Sequence, residues 1–312
     1  MSDAAVPPVV SLEGVSKWYG EVLGLSDVTL SIGPGITGLL GVNGAGKSTL
    51  LKLVTGQLRP DRGSVRVLGE PVWNRPALVR RIGLCPEQDS FYEEMTGAAW
   101  LAWLARLTGL GRAAADERAR ALLGEVDLLA EGGKRIGRYS KGMRQRLKLA
   151  QALLNDPEVL FLDEPLTGTD PIARARIVRR IRELVAAGRH VVISSHVLHE
   201  VETLTDTIVL LHQGRLRAEG RVEEIRRTLA DYPCEVRIEV DRPRELGLRL
   251  LALPSVRAVL LQDGGDALLV RTDAQETFFR ALAEQVVAGR FDVTRLAPAD
   301  DRLESVFQRL VA

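Results

Sequence analysis

The segment Gly41-Val42-Asn43-Gly44-Ala45-Gly46-Lys47-Ser48 follows the P-loop spacing, two glycines with four residues between them and Lys-Ser directly after the second. It lies between a short apolar run, 36–40, and a helix-like segment, 48–55. Strand, glycine turn and helix in that order are the context in which this spacing cradles phosphate. The glycines let backbone N–H groups curl around an anion without Cβ clashes. The helix N-terminus adds partial positive charge. Lys47 is then placed for the β- and γ-phosphates of a nucleotide and Ser48 for Mg²⁺, with Thr49 beside it.

Such a loop needs a carboxylate on a neighbouring strand to hold the Mg²⁺ shell. The run Val159-Leu160-Phe161-Leu162-Asp163 supplies it, and Glu164 follows at once as a group that polarises water. Around these motifs the chain alternates. Residues 1–70 read as β-rich, with strands at 9–12, 28–32, 36–40 and 63–68. Residues 97–107, 113–123 and 141–155 are Ala/Leu/Arg-rich with helical periodicity. After 159–162 comes a helix over 171–187, with Asp170 as N-cap and Pro171 in its first turn. Strands at 191–194 and 207–211 flank a helix at 196–204. The alternation implies a mainly parallel sheet with both faces covered.

From about residue 232 the pattern restarts as β-α-β-β-α-β, with Gly264-Gly265 marking a hairpin and a last helix over 301–311. That order predicts a small ferredoxin-like domain, consistent with two domains in 312 residues. The 42 basic and 41 acidic residues leave a net charge of +1, which excludes a protein that coats nucleic acid or lipid by bulk charge. Cys85 and Cys234 stand far apart with no C-x-x-C or Cys/His cluster, so neither a zinc site nor a disulfide framework is supported. The N-terminus lacks the basic start of a signal peptide, and no apolar run reaches membrane-spanning length. The expectation is a soluble, cytoplasmic chain that serves a membrane from its surface.

Ser140-Lys141-Gly142-Met143, followed by Arg144-Gln145-Arg146, lies 23 residues before Asp163. Together with the P-loop and the Asp163-Glu164 pair, this resembles the ATP-binding cassette (ABC) ATPases, whose signature is Leu-Ser-Gly-Gly-Gln followed by x-Gln-Arg. The resemblance covers residues 8–225. Tyr139 stands for Leu, Lys141 for the first Gly and Met143 for Gln, while Ser140 and Gly142 are kept. This variant looks like the ATPases that drive ABC-2-type exporters. The resemblance implies a P-loop α/β cassette with an antiparallel β-subdomain and a helical subdomain at about 90–155. The cassette would span 1–230, and the α+β accessory domain 231–312.

The remaining roles are carried over on the same resemblance. Tyr19 stands where an aromatic stacks on adenine, with Trp18 as the alternative. Gln88 resembles the glutamine that senses Mg²⁺ and the membrane partner, so Ser48, Gln88 and Asp163 form the implied metal set, in part through water. Thr167-Gly168-Thr169-Asp170 resembles the D-loop. His196, 32 residues after Glu164, resembles the switch histidine that reaches the γ-phosphate. Glu164, His196 and Lys47 would be catalytic, and Tyr19, Gly41, Asn43, Gly44, Ala45, Gly46, Ser48, Thr49, Gln88, Ser140, Gly142 and Asp163 would hold MgATP.

In the family two such domains pair head to tail, each signature completing the partner's site. The implied partners are therefore a second nucleotide-binding subunit, identical or not, and ABC-2-type permease subunits. No nucleic acid is expected, and the location would be peripheral on the inner face of the cell membrane. The stripe Trp100, Leu101, Trp103, Leu104, Leu107 reads as core of the helical region, or in part as a groove for a partner helix. A soluble ABC scaffold acting in assembly or on nucleic acid, without a permease, is the competing reading.

Overall fold

A computed structural model of the chain describes residues 7–228, 234–262 and 266–298. The chain divides into two compact units, Met1–Arg221 and Val222–Ala312. The boundary at 230/231 read from sequence falls on residues outside the described set, as do the Gly264-Gly265 turn and the helix at 301–311.

In the first unit β1 (Val10–Tyr19) and β2 (Val22–Ile32) form an antiparallel hairpin. β3 (Ile36–Leu40) leads through the glycine loop into α1 (Lys47–Val54). β4 (Arg62–Val67) and the two-residue β5 (Glu70–Pro71) complete a sheet of order β2-β1-β4-β5. The hairpin strands run much longer than alternation predicts. Register shifts between Leu12 and Trp18 break the period of two, so a sequence template loses the strand at its first bulge.

A short α2 (Pro76–Val79) precedes β6 (Ile82–Cys85). Three helices follow, α3 (Gly97–Leu107), α4 (Arg112–Glu125) and α5 (Lys141–Ala152). The hydroxyl of Thr96 caps α3 by accepting from the Ala99 N–H at 3.1 Å. β7 (Val159–Asp163), α6 (Pro171–Ala186), β8 (His190–Ser195), α7 (Leu198–Glu202), β9 (Thr207–His212) and β10 (Arg215–Arg221) close the unit. Asp170 caps α6, accepting from Ile172 and Ala173, with Pro171 in the first turn.

The central sheet has the order β10-β9-β3-β8-β7-β6. Its pairs are parallel except β9 with β10. Every residue of β7 is buried, as a strand covered on both faces requires. β10 was not legible as a strand. It is an antiparallel edge whose alternate residues Arg215, Arg217, Glu219 and Arg221 face solvent, a composition that protects an edge and disguises a strand. One apolar cluster fills the space between the two sheets and α1, and another joins the central sheet to α3–α6.

The second unit opens with α8 (Val222–Thr228). β11 (Cys234–Val240), α9 (Pro243–Leu251), β12 (Val256–Leu261), β13 (Ala267–Thr272), α10 (Gln275–Gly289) and β14 (Val293–Pro298) follow. The sheet order is β12-β13-β11-β14, antiparallel throughout, which is the ferredoxin-like arrangement. Val236, Ile238, Leu268 and Val270 meet Leu246, Leu250, Phe278 and Leu282 of the two helices. The opposite face is laced by ion pairs such as Arg271 with Glu235.

Candidate functional site

The carboxyl ends of β3 and β7 bring the two main motifs together. No side chain caps α1, whose N-cap is Gly46, so its first-turn N–H groups face the loop free of side-chain acceptors. Gly46 has φ 105°, and a Cβ there would lie 2.8 Å from the Gly24 carbonyl. Only glycine fits this position. The turn between β9 and β10 steadies the loop from outside, since the Gly214 N–H donates to the Ala45 carbonyl at 2.9 Å.

Lys47 is buried. Its ammonium donates to the Gly41 carbonyl at 2.6 Å and lies 3.6 Å from Glu164 Oε1. The Ser48 hydroxyl donates to Asp163 Oδ2 at 3.2 Å. Asp163 Oδ1 accepts from the hydroxyl of Ser194, the residue paired with it on β8. Glu164 has φ 49°, a left-handed backbone that is uncommon for a non-glycine residue. Ser194 fixes that bend, its carbonyl and hydroxyl accepting from the Glu164 N–H at 3.2 and 3.1 Å. The bent backbone turns the Glu164 carboxylate toward Lys47, His196 and Thr167. His196 Nδ1 lies 3.0 Å from Oε2, and the Thr167 hydroxyl donates to the same oxygen at 2.8 Å.

Lys47, Ser48, Asp163 and Glu164 border a cleft of about 390 Å³, whereas His196, Thr167 and Ser194 support it from behind Asp163 and Glu164 without lining it. Tyr19, Asn43, Gly44, Ala45, Gly46, Lys47, Ser48, Thr49, Asp163 and Glu164 line it together. The Tyr19 hydroxyl approaches Thr49 Oγ1 at 3.4 Å. Gly41 contributes its carbonyl to Lys47 without lining the cleft. Gln88 is exposed and does not line it, whereas the neighbouring Glu87 does. Ser140 and Gly142 also lie outside it. Ser140 caps α5, accepting from the Met143 N–H at 3.3 Å, and a Cβ on Gly142 would come within 2.9 Å of Ala173 Cβ.

The three departures from the signature pattern all have local contacts. Tyr139 is buried, and its hydroxyl donates to the Glu131 carbonyl at 2.8 Å. The stem of Lys141 covers Gly168. Met143 packs against the apolar cluster that joins α5 to the central sheet. In the aromatic stripe, Trp100 and Leu101 are core, whereas Trp103 and Leu107 are exposed. Sequence reasoning missed Ser194 and Thr167 as partners of the two carboxylates. Ser194 stood in view just before His196, but only the pairing of β7 with β8 reveals its task. Burial pushes the Cys85 thiol up to about 12, which makes it a neutral core group and no nucleophile.

Comparison with known proteins agrees with this geometry. A family model described as "ABC transporter" matches residues 25–167. The daunorubicin resistance ATP-binding protein DrrA3 of Streptomyces coeruleorubidus is 40% identical over 228 residues, covering 72% of this chain and 71% of that protein. The chain belongs to the ATP-binding subunits of ABC transporters. The resemblance to the doxorubicin resistance ATP-binding protein DrrA of Mycobacterium tuberculosis extends through the second unit, at 34% identity over 96% of this chain and 92% of that one. A solved ATP-binding subunit of an ABC transporter matches with a TM-score of 0.64 and 33% identity over 71% of this chain and 93% of its own. This ABC subunit is thus an ATP-binding and ATP-hydrolysing protein of the exporter type. Among its described residues no helix is long and apolar enough to cross a membrane.

Proposed function

We propose that this subunit hydrolyses MgATP to power export through a separate ABC-2-type membrane permease, docked on the inner face of the membrane. The observation that carries the reading is Glu164, bent into positive φ behind the P-loop with Lys47 on one side and His196 on the other. Backbone strain of this kind gathers where geometry serves chemistry. The relatives named for daunorubicin and doxorubicin resistance support export.

In the proposed cycle the loop N–H groups and Lys47 hold the β- and γ-phosphates, and Tyr19 stacks on the adenine. A water attacks the γ-phosphorus and gives up its proton to Glu164. The bond from that phosphorus to the β–γ bridging oxygen breaks, leaving ADP and phosphate. His196 and Thr167 hold the accepting carboxylate in line. The paired Ser48 hydroxyl and Asp163 carboxylate are hard oxygen donors that fit Mg²⁺, with Gln88 as a third contributor. Bound there, the ion would neutralise charge developing on the phosphate oxygens.

Ser140 and Gly142 lie outside their own chain's cleft, which supports their use on the nucleotide of a second subunit, identical or not. Mixing Lys47→Ala and Ser140→Arg chains tests this. Neither variant should hydrolyse ATP alone, and the mixture should recover activity through one composite site free of both lesions. No recovery on mixing, with both variants folded, would reject the shared site. Co-expression with the permease should move the chain from the soluble fraction to membranes, and an unchanged distribution would reject the docking.

A further inference from the structure

Lys148, in the middle of α5, is only 3% exposed. A buried ammonium is costly unless it is paired and hydrogen-bonded. Its Nζ donates to the Glu87 carbonyl at 2.6 Å and pairs with Asp89 Oδ1 at 3.1 Å. Those groups are the residues on either side of Gln88. One turn earlier on the same face, Arg144 reaches Asp89 at 3.7 Å and Glu93 at 2.8 Å. Below the loop, β6 is anchored to β7 with Cys85 opposite Leu162, one residue before Asp163. The segment that carries Gln88 is therefore pinned at its base by the sheet and across its flanks by α5, while the Gln88 side chain stays exposed.

We propose that Lys148 is the positioning residue of Gln88, holding the loop at the height where the glutamine meets the Mg²⁺ of bound ATP. α5 is also the helix whose N-cap is Ser140. One rigid element thus ties the residue offered to a partner's nucleotide to the loop that senses the chain's own metal. The proposal rests on the reading of Gln88 given above.

The test uses the full chain and two readouts other than turnover. Amide hydrogen exchange follows residues 87–90 without nucleotide. Loss of the free Mn²⁺ paramagnetic resonance signal measures Mn²⁺ affinity of the protein–ATP complex. Lys148→Met should raise exchange at 87–90 and weaken Mn²⁺ about tenfold, the scale of one lost charge-assisted hydrogen bond. ATP affinity without metal should not change, and Lys148→Arg should restore most of the Mn²⁺ affinity. Gln88→Ala should weaken Mn²⁺ as well, and the double variant should be no weaker than Gln88→Ala, as for two residues acting through one contact.

If Gln88→Ala weakens Mn²⁺ while Lys148→Met does not, or if the two effects add, the proposal is overturned and the reading of Gln88 survives. Unchanged Mn²⁺ affinity in Gln88→Ala overturns both. Should Lys148→Met fail to fold, Asp89→Asn at the exposed end of the clamp decides. It should weaken Mn²⁺ about threefold, on the low side of the same scale, and wild-type affinity there overturns the proposal.

Discussion

The two units treat charge in opposite ways. In the first, Lys47, Lys148, Asp163, Glu164 and Glu200 are all buried. In the second, Thr272 is the one buried polar side chain among the described residues, and its hydroxyl is satisfied by the Ser255 carbonyl at 2.6 Å. Carrying charge into a core is unfavourable, and a fold does so where the charge acts on something. The first unit accepts that cost around the cleft and its supporting loops. The second buries Val236, Ile238, Phe278 and their neighbours and keeps its ion pairs at least partly exposed. The cleft and its motifs lie in the first unit, and the described residues of the second form a packed core of their own.

The largest effect that tests this contrast is at Glu164. Glu164→Gln keeps the size and the Thr167 contact but cannot take a proton. Turnover should fall by roughly 10² to 10⁴ while ATP affinity is retained. Single-turnover hydrolysis with labelled ATP measures the chemical step directly. A rate near wild type would remove the buried carboxylate from catalysis and with it the reason for burying it.

The matching change in the second unit is Phe278→Ala, in the centre of its core. Truncating a buried aromatic costs about 3–5 kcal/mol. All four tryptophans, Trp18, Trp73, Trp100 and Trp103, lie in the first unit. Tryptophan fluorescence should therefore show an unmoved denaturation transition and unchanged ATP binding. Far-UV dichroism should show part of the signal lost at lower denaturant. A shift of both signals together would mean that the units do not hold separate stability.

Lys47→Ala comes next. It removes charge-assisted contacts to phosphate, so ATP affinity should fall about 10- to 100-fold. Equilibrium binding of a fluorescent ATP analogue reads it. Wild-type affinity would show that the buried lysine serves only its own loop, through the Gly41 carbonyl and Glu164.

What was legible in the sequence divides along the same line. The P-loop and Asp163-Glu164 are contiguous words whose chemistry depends on near neighbours, so their spacing is informative. The β-α-β-β-α-β order of the second unit was legible because β11 alternates along 235–240 and β12 pairs with β13 without a long crossover. Ser194 and Lys148 were not. Their partners are 30 or more residues away, in the pairing of β7 with β8 and the crossing of α5 over the 87–89 loop. A lysine inside a helical run reads as a solvated residue until the fold shows what it touches. Gln88 was placed by resemblance, yet the residue that borders the cleft is Glu87, since a loop's facing depends on its clamps as well as its sequence.

The smallest effect is expected at Arg271, on the open face of the second unit's sheet. Its guanidinium Nε donates to Glu235 Oε1 at 3.0 Å across the β11–β13 pair, with the side chain half exposed. In solvent the Coulomb gain is offset by hydration and by the entropy of holding two flexible side chains, so such pairs contribute about 0–1 kcal/mol. Arg271→Ala should shift the second unit's unfolding free energy by no more than that. The shift should vanish at molar salt, where screening acts over about 3 Å. Hydrogen exchange of the β11 and β13 amides at low and high salt provides the measurement. A loss well above 1 kcal/mol that salt does not relieve would mean that this face is covered when the protein is assembled. The second unit would then share the first unit's habit of burying charge for a purpose.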